Sequence, residues 1–228
     1  MIIWSLFDGS GIMVKPWADA GHKCYCFNYD SANHGSYEEI RVLHKNIEYV
    51  NCWIDLFFED YAASIGLGAP DIIFAFPDCT AMAGSGAKHG NKSLDTLNLA
   101  KIIQRIGRDY NARWMIENPV GKLSTLFRKP DHYFDPYEYG GYMTGEEGTF
   151  HTRMPARDAY TKRTCLWVGG GFVMPDKKPV PHIGKFWGWA YLGGKSQRTK
   201  QLRSLTPRGF AIAVYEANKP WWTHHDLR

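Results

Sequence analysis

The 228-residue chain is predicted to fold as an α/β protein: a doubly wound, mostly parallel sheet followed by a small, loop-rich, basic extension. Three observations carry this expectation. Through the first half, short apolar runs alternate with helix-compatible stretches. The clearest of these runs is almost wholly apolar, as a strand covered on both faces must be. After Gly121 the composition shifts to Tyr, Gly, Pro and basic residues.

In order, Met1–Phe7 reads as a first strand that ends at Asp8-Gly9-Ser10-Gly11, with a helix-compatible stretch to about Ala20. Lys23–Tyr29 reads as a second strand closed by Asp30, Ile47–Ile54 as a third, and Asp55–Ile65 as a helix. Asp71–Phe76 is the strongest strand and stops at Pro77-Asp78-Cys79. A Gly-studded segment, Gly84 to Gly90, leads into a helix over Leu94–Asp109. Arg113–Ile116 is a strand ending at Glu117-Asn118-Pro119; Thr164–Val168 is another, and Pro207 to about Asn218 is the last helix.

Composition narrows the function classes. Hydrophobic residues at 44% and charged residues at 22% are the balance of a globular protein. No run of about eighteen apolar residues spans a membrane. The first residues lack the basic start and cleavage site of a signal peptide, so a cytoplasmic protein is expected, with no membrane partner. Residues 1–150 hold 13 Lys/Arg against 19 Asp/Glu, whereas residues 151–228 hold 14 against 4. That asymmetry points the last third at a polyanion. The five cysteines, Cys24, Cys26, Cys52, Cys79 and Cys165, form no C-x-x-C pair, and no metal site is expected; His224-His225-Asp226 reads as a polar tail.

Three strand ends concentrate chemistry. Phe7-Asp8-Gly9-Ser10-Gly11 after the first strand suits a nucleotide-type cofactor, although such a turn also serves without any ligand. Asp30, about twenty residues on, suits a ribose diol. Cys79 ends the best strand, where ligands bind open α/β sheets. Glu117 follows Trp-Met-Ile, a setting that desolvates a carboxyl and raises its pKa. A thiol and a protonated carboxyl at neighbouring strand ends form a covalent site.

In this order, Phe7-Asp8-Gly9-Ser10-Gly11, Pro77-Asp78-Cys79-Thr80, Glu117-Asn118-Pro119-Val120, Thr161-Lys162-Arg163-Thr164-Cys165 and Arg203-Ser204-Leu205-Thr206-Pro207-Arg208 together resemble the DNA (cytosine carbon-5) methyltransferase family. The likeness is greatest to its compact bacteriophage members, in which a Ser-Gly and a basic residue follow, here Ser85-Gly86-Ala87-Lys88. The resemblance implies a Rossmann-like methyltransferase fold, S-adenosylmethionine as cofactor and double-stranded DNA as partner, with the chain acting as a monomer. It implies Cys79 as nucleophile, Glu117 as proton donor and Arg163 at the base carbonyl. Phe7, Asp8, Gly9, Ser10, Gly11, Asp30 and Pro77 would line the cofactor site, with the adenine edge near Trp53, Ile54 or Asp55. DNA contacts would come from Ser85, Lys88, Lys195, Gln197, Arg198, Lys200 and Arg203. Residues 1–168 would form the catalytic core, 169–201 a minimal target-recognition region, and 202–228 a helix returning to the core. The chain departs from the family pattern at Asp78, in place of a proline, and at Thr161 and Cys165, in place of Gln and Arg. Methylation of RNA, delivery of another carbon-5 substituent, and a non-catalytic DNA-binding role are the alternatives.

Overall fold

A computed structural model of the chain describes residues 1–29, 40–78, 90–193 and 196–221. Its first half alternates β1 (Ile2–Leu6), α1 (Lys15–Asp19), β2 (Lys23–Phe27), β3 (Ile47–Val50), α2 (Phe58–Ser64), β4 (Ile72–Ala75), α3 (Gly90–Asp109) and β5 (Arg113–Pro119). There follow α4 (Leu123–Leu126), β6 (His132–Phe134), a 3-10 turn at Pro136–Tyr142, β7 (Thr164–Gly169), α5 (Trp187–Tyr191), α6 (Gln197–Ser204) and α7 (Arg208–Asn218).

The seven strands lie in the order β3-β2-β1-β4-β5-β7-β6. Pairs β1–β2, β1–β4, β2–β3 and β4–β5 are parallel, while β7 runs antiparallel to both β5 and β6. The expected doubly wound, mostly parallel sheet is present. It differs from the simple dinucleotide-binding order 3-2-1-4-5-6 by one reversed strand inserted between β5 and β6. The winding direction switches between β1 and β4, and the crevice outside their carboxyl ends is the place where such sheets bind ligands.

Strand alternation divides the core between two faces. On one face Trp4, Ile73, Trp114, Ile116 and Trp167 pack under α2, α3 and α4 through Phe58, Ala62, Ile103 and Ile106. On the other, Ile3, Phe74, Met115 and Leu166 pack under α1 and α7 through Trp17, Phe210 and Val214. Trp4 is fully buried, and Phe27, Phe58 and Tyr110 meet its ring edge-on at 5.3–5.7 Å. Truncating such a side chain to alanine costs about 3–5 kcal/mol. A third cluster, including Met154, Tyr160, Phe186, Trp187, Leu202 and Leu205, anchors the basic extension.

Local chemistry explains where expectation and structure part. The helix after β1 is only five residues long, with Pro16 in its first turn and Gly21 at φ +87° just past its end. Helix α7 starts after Pro207. Close approach of its Gly209 to the Tyr139 carbonyl, where a Cβ would come within 2.3 Å, seats it on the Pro136–Tyr142 turn. Buried Asp158 accepts from the Arg208 backbone N–H at 2.6 Å and from its guanidinium at 2.7 Å, fixing that end of the helix. Strand β6 and helices α4, α5 and α6 were not foreseen; each is eight residues or fewer and lacks a clear period.

Candidate functional site

Strand β1 delivers its loop under strain. Phe7 has φ +60°, a left-handed conformation uncommon outside glycine, and the structure around it holds it there. Asp8, buried, supplies that hold. One carboxylate oxygen accepts from the Ser10 and Gly11 backbone N–H groups at 2.9 and 2.8 Å and from the Ser10 hydroxyl at 3.0 Å. The other accepts from the Ser5 hydroxyl at 2.8 Å. The Asp8 side chain is thus a brace inside the loop. Gly11 sits at φ +71°, and a Cβ there would lie 2.2 Å from the Tyr49 hydroxyl oxygen. That hydroxyl lies 2.8 Å from the Val42 carbonyl and 3.1 Å from the Ser10 carbonyl, and the second contact joins β3 to the loop.

The next strand ends present aromatic surface. Tyr29, just past β2, stacks on Trp53, just past β3, with ring centroids 4.0 Å apart and planes 19° from parallel. Both rings are exposed, Trp53 at 67%. Of the three residues expected near an adenine edge, Trp53 is at the surface, and Asp55 accepts from the Phe57 backbone N–H at 2.8 Å. Ile54 is buried in the core cluster that also holds Phe58.

At β4 and β5 the backbone register pairs Ala75 with Ile116, which brings Pro77 and Glu117 to the same edge. The Asn118 amide donates to the Pro77 carbonyl at 2.9 Å, and the Thr96 hydroxyl of α3 donates to the Asp78 carbonyl at 2.9 Å. The chain is therefore held by two carbonyls in the two residues before Cys79. The buried Oδ1 atom of Asn118 has no hydrogen-bond partner among the described residues. Partly buried Glu117 has its carboxyl pushed above the ordinary range by burial, opposed by the charge of Lys162. The Lys162 ammonium donates to the Arg203 carbonyl at 2.8 Å and lies 4.8 Å from the Phe186 ring centroid.

Arg163 faces elsewhere. It pairs with Asp135 at 3.4 Å and covers the Tyr133 ring at 5.1 Å, so the cation acting on Glu117 is its neighbour. Lys162 is the functional candidate that the sequence reading passed over, although it lies inside the same five-residue motif. The part-buried Arg203 guanidinium donates to the Gly188 and Leu192 carbonyls. Gln197, Arg198 and Lys200 lie exposed on α6. Asp30, Cys79, Ser85, Lys88 and Lys195 fall outside the described residues, as do residues 84–89 of the glycine-studded segment and the His224-His225-Asp226 tail.

The four described cysteines are all held as neutral thiols by burial. Cys24 is pushed up to about 12, Cys52 and Cys165 to about 11, and Cys26 well above the ordinary range. None is poised as a nucleophile. An open groove of about 610 Å³ lies between α3 and the start of β5, lined by Lys101, Gln104, Arg108, Trp114 and Gly169, at the end of the sheet remote from Phe7 and Pro77. Among the described residues no group of three His, Cys, Asp or Glu could hold a metal ion, and no helix is long and apolar enough to cross a membrane.

No family model matches the chain, and no curated protein matches it. Among solved structures it is similar to an E. coli protein titled "putative DNA modification methyltransferase", encoded within a prophage. The two share 13% identity at a TM-score of 0.43, over 74% of this chain and 46% of that one, so this chain spans less than half of that protein's length.

Proposed function

We propose that the chain transfers a methyl group from S-adenosylmethionine to carbon 5 of a cytosine in DNA, through a transient bond from Cys79 to the base. The Asn118 brace carries this reading. By tying the Pro77 carbonyl to β5 at 2.9 Å, it makes the residue pair preceding Cys79 leave the sheet beside Glu117. The chain therefore enters Cys79 from a strand end next to the one that carries Glu117, a carboxyl whose pKa burial raises. The elimination of the other four cysteines supports the same nucleophile.

The residues at the β1/β4 switch point fit the cofactor. The strained, Asp8-braced loop at Phe7–Gly11 shapes a backbone cradle, and the exposed Tyr29–Trp53 pair offers a flat aromatic face for an adenine. Asp30 would take the ribose hydroxyls. When bound, S-adenosylmethionine supplies an electrophilic methyl group.

Chemistry at the base falls to the chain's own side chains. Cys79, as thiolate, adds to carbon 6 of a cytosine turned out of the duplex. Glu117 gives its proton to N3, and electron density gathers at carbon 5. Lys162 stabilises the carboxylate that this leaves. Carbon 5 would then take the methyl group, a base would remove the proton it carried, and the carbon–sulfur bond would break to return the thiolate while N3 gives its proton back to the Glu117 carboxylate.

Incubation of duplex DNA with methyl-tritiated S-adenosylmethionine, followed by nucleoside analysis, tests the reading. The wild-type chain should yield labelled 5-methylcytosine. Cys79→Ser should lose several orders of magnitude, because a serine hydroxyl is barely ionised at neutral pH. Glu117→Gln should lose about 10²- to 10⁴-fold from missing acid catalysis. A serine variant that keeps even about a tenth of the activity would remove the covalent mechanism.

A further inference from the structure

Of the three neighbouring aromatics Phe186, Trp187 and Trp189, the first two are 3% and 4% exposed and anchor the third core cluster, whereas Trp189 is 60% exposed. A single exposed apolar side chain is ordinary on a protein surface. Trp189 differs in how it is mounted and in what surrounds it.

Its ring stands edge-on to Phe186, at a centroid distance of 5.7 Å and an interplanar angle of 90°, and its backbone N–H donates to the Phe186 carbonyl at 3.1 Å. The buried Phe186 ring also receives the Lys162 ammonium at 4.8 Å. Trp189 is therefore one ring away from the cation that acts on Glu117. The turn carrying it is clamped, since the Arg203 guanidinium donates to the carbonyls of Gly188 and Leu192 on either side. Gly188 allows close approach to Phe186, where a Cβ would meet the ring at 2.4 Å. Arg203 thus braces the turn that carries the exposed indole.

The charge of the stretch that carries this mount points to its occupant. From Lys177 to Tyr215 the chain has no Asp or Glu and eight Lys or Arg, among them Lys185, Arg198 and Lys200. A rigid aromatic face within a purely cationic stretch matches a nucleic-acid strand, whose phosphates meet the cations and whose bases offer π-faces.

From these observations we infer that Trp189 is a base-stacking residue beside the Glu117–Lys162 site, taking a nucleobase of the bound DNA on its exposed indole face. The inference rests on the DNA reading above and assigns the base contact to one side chain. It separates stacking from charge, because a stack needs a base and a salt contact does not.

The test compares the full-length chain with Trp189→Ala and Trp189→Phe. Fluorescence anisotropy of a labelled single-stranded deoxyoligonucleotide gives affinity, and inorganic polyphosphate serves as a base-free polyanion. Trp189→Ala should weaken the oligonucleotide about 5- to 100-fold, the range expected for one lost stack, and Trp189→Phe should retain most of the affinity. Polyphosphate should bind wild type and both variants alike. Equal loss for oligonucleotide and polyphosphate, or no loss for either, would overturn the assignment. Methyl transfer measured on the same wild-type sample reports separately: DNA bound through Trp189 without transfer supports the stack and removes the proposed reaction.

Discussion

Burial keeps the Glu117 proton bound to higher pH than in the unfolded chain, where its carboxyl titrates near the ordinary 4.5. Across the window above that value the folded protein binds more protons than the unfolded one, so stability falls as pH rises through it. Glu117→Gln cannot titrate and should escape that fall. Its melting temperature should gain on wild type as pH rises above the ordinary 4.5, even as activity drops. Parallel melting curves would mean that the carboxyl is not held protonated by the fold. The thiols give a second residue-scale expectation. With Cys24, Cys26, Cys52 and Cys165 held neutral, brief iodoacetamide treatment of the native protein at about pH 7.5 should label Cys79 first. Equal labelling of Cys52 or Cys165, read by peptide mass spectrometry, would contradict the assignment of the nucleophile.

The element that most constrains the crevice is the loop from β1 to α1. Asp8 satisfies the Ser10 and Gly11 amides at 2.9 and 2.8 Å, and the Tyr49 hydroxyl occupies the space a Gly11 side chain would need. Gly11→Ala meets both a left-handed backbone and this oxygen, and should cost about 1–3 kcal/mol in urea unfolding. Tyr49→Phe alone forfeits one hydrogen bond, about 1 kcal/mol. Because it also removes the oxygen that the new Cβ meets, the double variant should lose less than the sum of the two singles. Strict additivity would show that backbone strain alone accounts for the glycine.

For the whole molecule, the charge asymmetry becomes a salt dependence. Of the eight cations from Lys177 to Tyr215, Arg203 binds carbonyls, Arg208 pairs with Asp158, and Lys177 pairs with Glu138. Were five cations of this stretch each to neutralise one phosphate, the log–log salt slope of DNA affinity would be about −4 to −5. Titrations by anisotropy at several salt concentrations measure this directly, and a slope near zero would set the basic surface against something other than nucleic acid.

Alternating apolar runs, a glycine-bearing turn and abrupt strand ends are properties of covalent neighbours, so the sequence by itself determined the α/β class and the positions of Phe7–Gly11, Pro77 and Glu117. The short pieces after Gly121 escaped because His132–Phe134 and the α4–α6 helices are too brief to carry a period. Only the tertiary structure decided that β7 runs backwards between β5 and β6, which brings Thr164 opposite Pro119 and Leu166 opposite Glu117. That pairing sets Lys162, two residues before β7, where its charge acts on Glu117, while the pairing of β4 with β5 lets Asn118 brace Pro77. Neighbouring positions in a strand point to opposite faces, so which cation meets which acid depends on long-range pairing and register, and no local pattern records either.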